Sequence, residues 1–74
     1  MFRVATRMGY GFSREAFREV REDAGLTIDD VARRVGLSRS RIGEVERGLM
    51  DPTEDQIEAL AAALGVDAWV LHWQ

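Results

Sequence analysis

The chain has no cysteine, no lysine, one proline (Pro52) and one histidine (His72). Without cysteine there are no disulfides, thiolate zinc sites or cysteine nucleophiles. A single histidine excludes metal sites that need two imidazoles and leaves one His base, near the end of the sequence. Long apolar runs are missing too. No stretch approaches the ~18 residues of a membrane span, and the opening Met-Phe-Arg-Val-Ala-Thr-Arg lacks the continuous apolar core of a secretory signal. What is present, 74 residues with 46% hydrophobic and 31% charged, fits one small folded domain, expected to be cytoplasmic. So short a chain has little room for a cleft, and it lacks a defensible carboxylate pair, nucleophile or metal arrangement. Neither an enzyme nor a cofactor is expected.

Cations are missing from one end of the molecule. All ten are arginines within residues 1–50, where eight acids leave a balance of +2, whereas residues 51–74 hold five acids and no cation. Between 33 and 47 five arginines face only Glu44 and Glu46. The total of −3 therefore conceals a basic patch, and screening over ~8–10 Å lets local charge govern an approaching anion.

Glycines and small polar residues divide the rest into helices. Residues 1–12 show no clear period, contain Gly9 and Gly11, and read as a flexible arm ahead of a domain over 13–74. Ser13 caps a first helix, about Arg14 to Ala24, with Phe17, Val20 and Ala24 inward and Gly25 as its stop. Thr27 with Asp30 starts a second helix with the inner stripe Val31, Ala32 and Val35, ended by Gly36. Ser38 caps a third, carrying Ile42 and Val45 and ending at Gly48. Pro52 and the Thr53–Gln56 box open a fourth, with Ile57, Leu60, Ala61 and Leu64 on one face and Gly65 as its stop. Asp67 caps a fifth, short segment holding Trp69, Val70, Leu71 and Trp73. The fold class is all-α, with five helices.

Residues 27–47 carry the functional signal. Ala32 permits close helix approach, Gly36 suits a tight turn with positive φ, and Val31, Val35, Leu37, Ile42 and Val45 form a wedge between two steeply crossed helices. That is the pattern of a helix-turn-helix. The run "LSRSRIGEVERG", with "DDVARRVG", Arg21 in "REVREDAGLT" and "PTEDQIEALAAALGV", resembles the family of phage Cro proteins and repressors, also called the xenobiotic-response-element family. The resemblance spans about Ser13 to Leu71 and implies a lambda-repressor-like domain that binds double-stranded DNA.

The resemblance also implies residue roles. Arg21 and Glu46 match a buried structural ion pair, and Ser38 to Arg47 match the recognition helix, whose N-terminal residues reach base edges in the major groove. Arg39, Ser40 and Glu44 are then the candidates for base contacts, with Arg39 able to fork onto guanine. Thr27, Arg33, Ser38, Arg41 and Arg47 are candidates for phosphate, and Arg3 and Arg7 for a minor-groove arm. A solvated charged face is the plainer reading of Arg39, Arg41 and Glu44, as helix-surface charge is of Arg33 and Arg34. Two departures stand out. Ile28 replaces the family's usual phosphate-gripping glutamine, and Gly43 interrupts a helix, as if for close approach of DNA or a neighbour. Leu49 and Met50 either pack inward or meet a partner. Trp69, Val70 and Trp73 are candidates for a two-fold interface, with His72 beside them on the surface. The expected function is a homodimeric transcriptional regulator, in the first instance a repressor, on a near-palindromic operator. The alternative is an antitoxin or similar module that neutralises a toxin or other protein partner.

Overall fold

A computed structural model describes residues 11–72 of the chain; Arg3, Arg7 and Trp73 lie outside the described residues. Among the described residues, four α-helices each begin on a hydroxyl that accepts a backbone N–H of the first turn. They are α1 (Arg14–Asp23) on Ser13, α2 (Ile28–Val35) on Thr27, α3 (Arg39–Glu46) on Ser38 and α4 (Glu54–Leu64) on Thr53. Thr27 and Thr53 form reciprocal boxes with Asp30 and Gln56, which satisfy two otherwise orphaned donors apiece. The fifth segment differs from expectation. Ala68–Leu71 is one 3₁₀ turn, and Asp67 ahead of it makes no side-chain cap.

The helices enclose a core of Phe17, Val31, Ala32, Ile42, Ile57, Leu60, Ala61, Leu64 and Leu71, all buried. Ala24, apolar by spacing, is exposed at the end of α1. Phe12 belongs to the folded body. Its ring lies 5.9 Å from that of Phe17, its backbone pairs antiparallel with His72, and the neighbouring Ser13 N–H donates to the Leu71 carbonyl at 2.7 Å. The start and end of the domain are thus tied together beside α1. His72 is half-buried rather than on the surface, with Nδ1 3.0 Å from the Ala68 carbonyl.

The turns share one device, an αL glycine followed by an apolar residue. Gly36 has φ +76°, and the Leu37 N–H reaches back to the Ala32 carbonyl at 3.1 Å. Gly48 has φ +78° and the Leu49 N–H reaches the Glu44 carbonyl at 2.9 Å. After three such turns Leu26, Leu37 and Val66 pack against the core. Leu49 does not; it is 71% exposed.

The two glycines are held by different forces. A Cβ at Gly36 would meet nothing within 4 Å, so only its φ is demanding, whereas one at Gly48 would lie 2.9 Å from Nη1 of Arg14. Gly36→Ala is expected to cost about 1 kcal/mol. Gly48→Ala should cost about 1 kcal/mol more, because Arg14 must release the Arg47 carbonyl. Equal urea midpoints for the two variants would contradict this assignment. Asp30 gives a pH signature. The Thr27 backbone N–H, then the Thr27 side chain, then Arg33 and Arg34 hold its carboxyl below the usual range. Its stabilisation is therefore complete above the unfolded value of about 3.9 and disappears as pH falls through the lower folded value. Asp30→Asn is expected to remove this contribution to acid unfolding, read by circular dichroism during acid titration.

Candidate nucleic-acid interface

Crossing of α2 and α3 at the Gly36 turn decides which side of α3 meets solvent. Ile42, Val45 and Glu46 are turned inward, while Arg39, Ser40 and Arg41 are exposed on the opposite side. Arg39, Ser40, Gly43, Glu44 and Arg47 line an open groove of about 480 Å³ with Ile28 of α2. Four of the residues expected to face DNA, Arg39, Ser40, Glu44 and Arg47, are thereby brought onto one surface. Ile28 serves as the apolar wall of this groove and packs on the core. Gly43 has an intramolecular explanation: a Cβ there would sit 3.2 Å from Nη1 of Arg47, so the missing side chain leaves space for that guanidinium.

The arginines of this surface do not stand alone. Arg39 Nε lies 3.4 Å from an Asp29 carboxylate oxygen, Arg41 Nε 3.9 Å from Glu44, and Arg33 Nη2 2.7 Å from Asp30. Among the described residues Arg47 has no carboxylate within 4.0 Å. The backbone N–H of Thr27 donates to Asp30 and its hydroxyl oxygen accepts from the Asp30 N–H. Ser38 similarly accepts from the Arg41 N–H at 3.1 Å.

Behind the surface, Arg21 of α1 fixes the end of α3. Its Nε and Nη2 donate to the two carboxylate oxygens of Glu46 at 2.8 and 3.0 Å, and its Nη1 donates to the Leu26 carbonyl at 2.8 Å. Arg18 lies 3.7 Å from the same carboxylate. The Arg21 and Glu46 side chains are only 11% and 10% exposed, so two parallel charge-assisted bonds operate with little water.

Two further arginines hold helix ends. Arg14 Nη1 donates to the Arg47 carbonyl at 2.6 Å, and Arg34 Nη1 to the Ala63 carbonyl at 3.0 Å. Neither bond was legible in the sequence, since each joins residues about thirty apart (|i−j| of 33 and 29); Gly48 under Arg14 is the nearest to a signal. Elsewhere, Met50 is half-buried beside the exposed Leu49, Trp69 is 63% exposed and Val70 is half-buried.

A pair of capped helices joined by an αL glycine, the second presenting a polar face, defines a helix-turn-helix domain. The chain belongs to the helix-turn-helix family: the family's domain pattern matches residues 14–72. It is 40% identical over 55 residues to an uncharacterized HTH-type transcriptional regulator of Mycobacterium tuberculosis, covering 74% of this chain and 39% of that protein. The chain thus spans about two fifths of that relative. A similar regulator from Sinorhizobium fredii is 40% identical over 50 residues, covering 68% of this chain and 65% of the relative. Among solved structures, the restriction-modification controller protein C.AhdI from Aeromonas hydrophila superposes with a TM-score of 0.76 at 36% identity. That match covers 78% of this chain and 88% of C.AhdI.

Removing one partner of the Arg21–Glu46 pair leaves a poorly hydrated charge. Arg21→Met or Glu46→Leu alone is expected to cost ~3–5 kcal/mol. The double variant should lose less than the two single losses combined, because no orphaned charge remains. Chemical denaturation of the three variants checks this, and strict additivity would count against the pair as a coupled unit.

Proposed function

We propose that this protein is a sequence-specific double-stranded DNA-binding regulator of transcription, a repressor acting in the cytoplasm as a homodimer. The observation that carries the reading is the groove-lining face of α3, where Arg39, Ser40, Glu44 and Arg47 project together from a helix whose back is locked into the core. The family membership and the regulators similar to this chain support it. In this reading α3 enters the major groove, Arg39 forks onto guanine O6 and N7, Ser40 meets a neighbouring base and Glu44 accepts from cytosine N4.

Thr27, Arg33, Ser38, Arg41 and Arg47 hold phosphates and set the register. Arg33 and Arg41 first exchange Asp30 and Glu44 for the DNA anion. Trp69 and Val70, with Trp73, form the two-fold contact, placing two recognition helices one turn of DNA apart, ~34–36 Å. Binding to a near-palindromic operator excludes polymerase sterically. The minor-groove role proposed for Arg3 and Arg7 rests on sequence alone.

A second reading is favoured by the exposure of Leu49, 71%, just past the Arg47–Gly48 turn that ends α3. It makes the chain an antitoxin-like module whose apolar loop meets a partner protein. A stoichiometric second protein copurifying from the native host would favour this alternative.

Selection from a random duplex pool, followed by salt titration of the enriched site, tests the main reading. Arg39→Ala is expected to relax preference at one operator position, losing ~1–3 kcal/mol of discrimination there. Arg41→Ala should instead weaken binding to all duplexes and flatten the slope of log K against log salt by about one unit. If Arg41→Ala keeps the wild-type slope, Arg41 is not a phosphate ligand.

A further inference from the structure

The first turn of α2 is unusual for a surface that meets a polyanion. It carries two carboxylates, Asp29 and Asp30. Asp30 is engaged by its capping box with Thr27 and by Arg33. Asp29 has a different partner: it reaches across the helix-turn-helix to Arg39 of α3, with 3.4 Å between its oxygen and Nε. The two residues are ten positions apart on separate helices, so helical spacing does not impose the contact. A carboxylate on Nε leaves the two terminal guanidinium nitrogens as the donors that can pair with the O6 and N7 acceptors of guanine.

We propose that Asp29 is a specificity-determining, positioning residue of the DNA interface, holding Arg39 for a guanine edge and opposing its use on phosphate. The proposal rests on the reading of α3 as the recognition helix and deepens it. Two physical effects act in the same direction. A carboxylate at Nε restricts a long, flexible side chain, which favours one directed contact over many diffuse ones. The negative charge also repels phosphates, each a full anion, far more than a neutral guanine edge. Asp29 therefore lowers affinity for duplex DNA in general and increases the contrast between the right base and the wrong one at the position Arg39 reads. Arg39 alone would be a strong but less discriminating ligand, since an arginine released near DNA finds phosphates everywhere.

The test compares the wild-type chain with Asp29→Asn and with Asp55→Asn. Asp55 is the second residue of α4, as Asp29 is of α2. Its replacement makes the same change in net charge and helix-end chemistry, and among the described residues it has no ion pair. The probes are a random duplex pool, the site that the wild type enriches from it, and that site with each guanine pair replaced singly. Asp29→Asn is expected to bind the random pool about threefold more tightly, with a salt slope steeper by up to about one unit as Arg39 takes a phosphate. Its preference for guanine at one position should fall at least about threefold, while Asp55→Asn matches wild type on both measures. An unchanged preference and unchanged pool affinity in Asp29→Asn would overturn the proposal and leave the recognition-helix reading intact. So would a uniform loss of affinity tracking a loss of thermal stability, which marks a purely structural residue. A wild-type chain that enriches no sequence overturns both readings.

Discussion

The orientation of α3 depends on one ion pair. Arg21 closes on Glu46 through two bonds and holds the Leu26 carbonyl with its remaining nitrogen, so α1, the loop after it and the last residue of α3 are fixed by a single planar group. An eight-residue helix is too short to be stable by its own backbone bonding, and its apolar back offers only Ile42 and Val45. Polar anchoring at its end compensates for that thin core. Two hydrogen-bonded charges in a dry setting also specify geometry more sharply than apolar contact, which tolerates sliding.

A second constraint follows from that anchoring. With Glu46 inward, the neighbouring Arg47 begins the turn, where its carbonyl is capped by Arg14 and its side chain returns over Gly43 toward the groove. Gly43 and Gly48, each costly in isolation, thus leave space for guanidinium groups rather than adding flexibility. The same economy governs the surface charges. Arg33 and Arg41 are each paired with a carboxylate in the free protein, so binding an anion exchanges partners instead of filling an empty positive surface. Exposed pairs of this kind contribute little to stability, which leaves the arginines available for exchange.

Much of the architecture could be read from punctuation. Ser13, Thr27, Ser38 and Thr53 mark the helix starts because a side-chain oxygen satisfies first-turn donors locally, and Gly36 and Gly48 mark the stops because few other residues adopt positive φ. Such signals act over four or five residues and need no knowledge of the fold. The terminal segment misled for the same reason. Asp67 has the right residue type, yet the four-residue turn after it is 3₁₀ and takes no side-chain cap. His72 was likewise misjudged from sequence, since its surroundings include Phe12 at the opposite end of the domain.

Sequence alone determined the helical class, the helix-turn-helix register and the polar composition of α3, because these follow from residue type at short, regular spacing. Tertiary structure decided which arginines became supports and which stayed at the surface. Arg14, Arg21 and Arg34 turn to carbonyls or a carboxylate on distant segments, while Arg39 and Arg41 remain outward. All five have the same side chain. What separates them is the direction in which a packed backbone points it and whether an acceptor from another part of the chain lies within reach, and neither exists until the helices have docked.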